Sequence, residues 1–180
     1  MEKLMVQATI SKEQAASHVH RHRKNFIMRW SKLFAEPEVP VSMELLYLPY
    51  WCYDYQYQSA EINKKISGKV AVETWKQHTA ILPDNAQVLP LADGLSLLKA
   101  SGSPDPEYAR KQLYWEAFGR EKKRKSIQIE MTDTNLLYAP YWIVYVEGKQ
   151  VDIVVVDAMT GRIDLGMKEA VMHAIMASRE

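Results

Sequence analysis

A short segment rich in histidine is the first place where residue spacing suggests chemistry. His18 and His22 are four residues apart, so on a helix they would share a face, as two metal ligands do. A metal site needs a third or fourth ligand, and Arg21, Arg23 and Lys24 add positive charge where a cation would bind. The sequence therefore favours a solvated basic helix face, and we assign no metal and no cofactor.

Basic residues form a second run further along the chain. The net charge is only +1, with 23 basic against 22 acidic residues, so no global field concentrates nucleic acid. Binding of nucleic acid would depend on the candidate residues of the two runs, which are Arg21, Arg23, Lys24, Lys122, Lys123, Arg124 and Lys125. Positive charge is favourable at the end of a helix in itself, and no aromatic residue interleaves with these runs to stack bases. Nucleic-acid binding is therefore the alternative prediction.

Nucleophilic chemistry has little support in this sequence. Cys52 stands between Trp51 and Tyr53 with no neighbouring histidine to activate its thiol. Asp157 precedes a Thr-Gly turn, where an aspartate ordinarily makes turn contacts. Phosphate-binding loops, dinucleotide glycine fingerprints, zinc spacings and nucleophile elbows are absent from the sequence. We therefore assign no catalytic residue, and an enzyme with a site between two repeats is the third hypothesis.

The compartment is predicted from cysteine usage and hydropathy. Cys52 is the one cysteine, so it cannot form an intramolecular disulfide, which agrees with a reducing compartment. The chain has no apolar core typical of a signal peptide and no run of about 18 apolar residues. These features predict a cytoplasmic protein that does not interact with a membrane.

An internal repeat organises the chain. The heptapeptide at 45–51, Leu-Leu-Tyr-Leu-Pro-Tyr-Trp, recurs at 136–142 with six of seven positions identical. Strands are predicted downstream of each copy, at 53–57 and 69–75 and again at 143–146 and 150–156. Because proline removes a ladder donor, Pro49 and Pro140 are predicted at an edge, a bulge or a strand start.

Helices are predicted upstream of each copy. Ser11 and Gln14 form a capping box that starts a helix over 11–34, and Asp105 with Pro106 starts a second helix that ends at Gly119. A last helix over 167–178 carries an apolar stripe of Met167, Ala170, Val171, Ala174 and Ile175. The predicted division is a first helix-plus-sheet repeat at 1–90, a connector at 91–105, and a second repeat with the C-terminal helix at 106–180.

Aromatic side chains alternate along the first copy. A candidate ligand-binding or partner-binding row consists of Trp51, Tyr53, Tyr55 and Tyr57 on one strand face, with Trp75 nearby. Such a row lines a groove in some proteins and more often forms core beneath a helix. In the second copy both strand faces are apolar, since Tyr141, Ile143 and Tyr145 back the other face. An apolar face needs cover, which predicts burial by the C-terminal helix or by a second copy, and favours a homodimer.

The end of the second copy resembles a known module. The segment at 154–163 reads Val-Val-Val-Asp-Ala-Met-Thr-Gly-Arg-Ile, and Val156, Asp157, Thr160 and Gly161 match the last hairpin of a PepSY module. The match covers about the last third of that copy. The resemblance implies a small antiparallel sheet wrapped on a helix, and a role in inhibition, regulation or protein binding, without catalytic residues.

Taken together, these features predict an α+β fold of two similar units, each an antiparallel sheet against a helix in the order helix-strand-strand-strand, plus a C-terminal helix. The first functional prediction is a non-catalytic binding or regulatory module that acts on a protein or peptide, with an exposed sheet edge as the template for strand addition.

Overall fold

The computed structural model describes residues 1–30, 39–59, 62–83, 86–118, 127–147 and 151–179. The fold is mixed α and β. Its elements in chain order are β1 (Lys3–Val6), α1 (Lys12–Trp30), β2 (Val39–Ser59), β3 (Ile62–Glu73), β4 (Thr79–Leu82), β5 (Val88–Pro90), α2 (Pro106–Phe118), β6 (Ile127–Glu147), β7 (Val151–Asp157) and α3 (Lys168–Ser178). No helix in this described part is both long and apolar enough to cross a membrane.

The seven strands form one sheet. Six of them are hydrogen-bonded side by side in the order β4-β3-β2-β6-β1-β5, and the seventh, β7, pairs with β6 as a branch from this order. β2 with β3, β3 with β4, and β6 with β7 are antiparallel pairs. β1 runs parallel to β6 and antiparallel to β5. The long strands β2 and β6 are therefore central, and β4 and β5 end this order.

The chain divides into two compact units. Unit 1 comprises Met1–Val6, Pro49–Ala92 and Ala100–Tyr138, and unit 2 comprises Gln7–Leu48, Asp93–Lys99 and Ala139–Glu180. Each unit thus draws segments from both sides of the predicted connector at 91–105. These units are spatial groupings, so the division of the sequence into repeats stays a prediction.

Local capping starts two of the helices where the sequence predicts. The Ser11 N–H donates to the Gln14 side chain at 2.9 Å, and the Gln14 N–H donates to the Ser11 hydroxyl at 3.3 Å, which is the predicted capping box. The Tyr108 N–H donates to the Asp105 carboxylate at 2.9 Å and caps α2 in the same way.

Each of these helices buries a short side chain and then a longer one. In unit 2, α1 packs Ala15 and Val19 against Val144, Val146 and Val156 of β6 and β7. In unit 1, the buried α2 residues Ala109 and Leu113 contact a cluster from β2 and β3, which contains Tyr53, Tyr55, Val70 and Val72. The small alanine side chains allow each helix to approach its strands closely.

The two long strands begin well before the predicted strand starts. β2 begins at Val39 and β6 at Ile127, so Pro49 and Pro140 lie inside strands and do not start them. Pairing with β3 begins at Tyr50, and pairing with β7 begins at Tyr141. Each proline therefore lies one residue before the ladder of its hairpin begins. Its missing N–H removes no hydrogen bond from that ladder.

Both faces of the β6–β7 pair are buried. Val144 packs beneath α1, while Ile143, which points to the other face, has no exposed surface. On α3, which contacts β7, the buried residues are Met167, Ala170, Val171 and Ala174. Four residues of the predicted apolar stripe are therefore buried inside the chain, and the fifth, Ile175, is partly exposed.

Candidate functional site

The predicted aromatic row lies at the core of unit 1. Tyr53 and Tyr55 are buried beneath α2, and Trp51 and Tyr57 are partly buried against the same cluster. Trp75 lies in the turn after β3 and is partly exposed. Most of the surface of this row is therefore used in packing, and a role in ligand binding stays a prediction.

The Tyr53 hydroxyl has a structural partner. It accepts the Asp105 N–H at 2.6 Å, which ties the start of α2 to the middle of β2. Burial raises the pKa of Tyr53 to about 12, so the group stays a neutral phenol at physiological pH. Next to it lies a cavity of about 50 Å³, lined in part by Trp51, Glu73 and Ser101. This volume has room for a few water molecules and no larger ligand.

Glu73 is the one charged residue that is fully buried among the described side chains. Its carboxylate accepts the N–H of Trp75 at 2.7 Å and the N–H of Lys76 at 2.6 Å. Burial raises the pKa of Glu73, and these two hydrogen bonds counteract part of that effect. The carboxylate thus organises the turn that leads from β3 to β4.

Changing Glu73 to glutamine should alter how stability depends on pH. A raised pKa means that the folded protein holds this proton more tightly than the unfolded chain, whose carboxyl titrates near 4.5. The free energy of unfolding of the wild type, relative to Glu73→Gln, should therefore fall as pH rises above 4.5, and level off above the folded pKa. Urea titrations from pH 4 upward measure this difference. A difference that is constant or grows with pH contradicts the assignment.

A similar turn follows β7 in unit 2. The Asp157 carboxylate accepts the Met159 N–H at 2.8 Å and the Thr160 hydroxyl at 2.7 Å. Gly161 closes the turn with a φ of 74°, and Gln77 has a φ of 59° in the turn after Glu73. The Asp-x-x-Thr-Gly segment therefore forms a tight turn after β7. The PepSY resemblance stays a prediction.

The histidine and basic segments carry no assembled site in the described residues. His18 packs against Gly161, where a β-carbon would come within 2.9 Å of its ring, and His22 and Arg21 are exposed. The described residues contain no cluster of three or more histidine, cysteine or acidic side chains that could hold a metal ion. For the predicted basic patch, the side chains of Arg23 and Lys24 are not described, and Lys122, Lys123, Arg124 and Lys125 lie outside the described residues.

The Cys52 thiol is not activated for nucleophilic attack. The residue is buried, and this burial raises the pKa of the thiol to about 11. At neutral pH the group is therefore a protonated thiol and not the reactive thiolate. Cys52 acts as a small apolar side chain of the sheet.

β4 ends the strand order on the side of β3, at an edge of the sheet whose position the sequence does not predict. Among the described strands β4 pairs with β3 only. The register places Val72 opposite Thr79 and Val70 opposite Ile81, and both valines lie beneath α2. Thr79 and Ile81 therefore lie on the same face of the sheet as α2. Ile81 is 41% exposed, so this edge presents an apolar side chain to solvent.

The hydrogen-bonding pattern shows which backbone groups of β4 face outward. The Glu73 N–H donates to the His78 C=O at 2.8 Å, in line with the ladder between β3 and β4. Bonded and non-bonded pairs alternate along an antiparallel ladder. Ala80 is therefore bonded to β3, whereas the N–H and C=O groups of Thr79 and Ile81 point away from it. A peptide that adds to the sheet would use these groups.

A polar groove lies on the face opposite α2. Leu82 pairs with Lys69, and Lys69 pairs with Asp54, so these three side chains share that face. Lys69 and Asp54 form an ion pair. With Ser67 and Thr132 they line part of an open groove of about 560 Å³. The edge strand thus has an apolar side towards α2 and a polar side away from it.

The comparisons with known proteins give no match. No protein-family model matches the chain, and neither a curated protein nor a solved structure is similar to it.

Proposed function

We propose that the protein binds an extended segment of a protein partner, which adds as a strand to the β4 edge of unit 1. The observation that carries this proposal is the outward direction of the N–H and C=O groups of Thr79 and Ile81. β4 contains neither charged residues nor an internal proline, which are two of the features with which natural proteins block an edge. The binding is non-catalytic, because main-chain hydrogen bonds and packing are all it requires.

Replacing Ile81 with proline should abolish peptide binding and leave the sheet intact. Proline removes the N–H that points outward from Ile81, and it is tolerated at an edge where this N–H faces solvent. Peptides of 12 residues selected from a random display library on the wild-type protein are the probe. We expect Ile81→Pro to weaken their binding at least about tenfold, because one main-chain bond and an apolar contact are lost.

Two variants control this measurement. Ile81→Val keeps the outward N–H and should bind the selected peptides within about twofold of the wild type. Ala80→Pro removes a donor that bonds to β3 and should lower the melting temperature, which Ile81→Pro should change much less. If the selected peptides bind Ile81→Pro as tightly as the wild type, strand addition at β4 is wrong.

We also propose that the two helix-plus-sheet repeats are diverged copies and that each helix packs on the strands of the other copy. Four features support this duplication. Ala15 and Ala109 each follow the helix cap by four residues and are fully buried. Trp51 and Trp142 of the repeated heptapeptide each pair with a valine of the following strand. The carboxylate-capped turns after β3 and β7 are alike, and α1 and α2 contact strands of opposite repeats.

A homodimer is a further part of the proposal, with a second copy on the outer face of α3. Leu165, Met172 and Met176 are 71%, 41% and 64% exposed on unit 2. Lys168 and Glu169 border this apolar surface, so opposite charges could pair across a two-fold contact. Sedimentation equilibrium should give a dimer for the wild type and a monomer for Met176→Glu.

For localisation we propose the cytoplasm, which a free, buried Cys52 supports.

A further inference from the structure

One flank of α2 faces the β4 edge. The Tyr108 hydroxyl donates to the C=O of Gln77, just before β4, at 3.3 Å. α2 contacts both β3 and β4, so it runs along these strands from that point. Tyr108, Gln112 and Trp115 follow a spacing of four and three residues, which places them on one flank of the helix. The exposed side chain of Trp115 therefore stands on the flank next to β4.

We expect Trp115 and Ile81 to lie at a similar level along the two elements. The rise of a helix puts Trp115 about 10 Å beyond Tyr108, and an extended chain would put Ile81 at most about 13 Å beyond Gln77. Trp115 is 60% exposed, and its indole packs edge-to-face on Tyr114 with a centroid distance of 5.8 Å. The indole ring is thus largely open to solvent and available to a partner.

We infer that the segment bound at β4 carries a large apolar side chain on the side facing α2, where it packs between Ile81 and Trp115. This inference rests on the proposed strand addition. Residues opposite each other in neighbouring strands share a face, so the peptide residue opposite Ile81 faces the helix. The residues next to it in the peptide face the side of Leu82, Lys69 and Asp54, where polar groups dominate. The recognised class is therefore an extended segment with alternating apolar and polar residues.

Two synthetic nonapeptides test this specificity. Both place threonine on the face away from the helix and valine on the face towards it, and they differ only in the central helix-facing residue, which is leucine or serine. Titration of the full ¹⁵N-labelled chain gives the dissociation constants and maps the shifted amide signals. We expect shifts at Thr79 and Ile81 and about tenfold tighter binding of the leucine peptide, since a buried leucine side chain contributes about this much.

Variants on α2 separate the inference from the proposed function. Trp115→Ala should reduce the preference for leucine to about threefold or less, while Lys111→Ala, on the outer side of the helix, should keep it near tenfold. Equal binding of both peptides, or an unchanged preference in Trp115→Ala, overturns the apolar pocket and leaves strand addition standing. If neither peptide shifts Thr79 and Ile81, or if Ile81→Pro binds both as the wild type does, strand addition fails and the inference fails with it.

Discussion

Replacing Leu113 with alanine is expected to lower the free energy of unfolding by roughly 2–5 kcal/mol, the range for buried leucines in well-packed cores. Leu113 has no exposed surface and lies with Tyr53, Tyr55 and Val70 in the core of unit 1. The substitution removes apolar contacts and leaves a cavity between α2 and the sheet, because aromatic rings on a strand cannot move to fill it. Urea denaturation followed by circular dichroism measures this loss.

Trp115→Ala is the matched control on the same helix. It removes a larger side chain from a position that is 60% exposed, so we expect a change within about 0.5 kcal/mol, as for most surface substitutions. Val19→Ala probes the corresponding position of α1, where a smaller side chain is removed from the cluster with Val144 and Val156. A Leu113→Ala variant that is no less stable than Trp115→Ala would contradict the packing of α2 described above.

The starts of the helices could be predicted because the signals for them are local. Ser11 with Gln14, and Asp105 before Pro106, satisfy the first N–H groups of a helix whatever the rest of the chain does. The alternation of Tyr53 and Tyr55 likewise indicated which strand face is buried. These signals come from residues within a few positions of each other in the sequence. They can therefore be recognised without knowledge of the tertiary structure.

The strand bounds and the partners of the helices could not be predicted in the same way. The missing donor of Pro49 predicts an edge, a bulge or a strand start, yet Pro49 lies inside β2, because that donor is not required before the ladder with β3 begins at Tyr50. The apolar stripe of α1 shows that this helix needs a partner, but not that the partner is β6 with β7. The edge strand β4 has only four residues, too few for periodicity to identify, and its outward groups depend on pairing with β3.

Replacing Ile143 with glutamate is expected to prevent unit 2 from folding stably. Ile143 has no exposed surface and pairs with Val155, which is also buried. A carboxylate at this position would be buried in the core without a polar partner, at a cost of several kcal/mol. This cost is a large part of the roughly 5–15 kcal/mol that stabilises a typical domain. The measurement is the soluble fraction after expression, with the circular dichroism melting curve of whatever remains soluble.

Met176→Glu places the same charge on exposed surface of α3 and serves as the matched control. Met176 is 64% exposed, so its glutamate stays hydrated, and the variant should lose at most the stabilisation that dimerisation gives the wild type. The two variants therefore separate a burial effect from a surface effect: Ile143→Glu should be insoluble or strongly destabilised, whereas Met176→Glu should be soluble and folded, whatever its state of association. A soluble Ile143→Glu variant with a melting temperature near that of the wild type would show that the face of β6 opposite α1 is not part of the core.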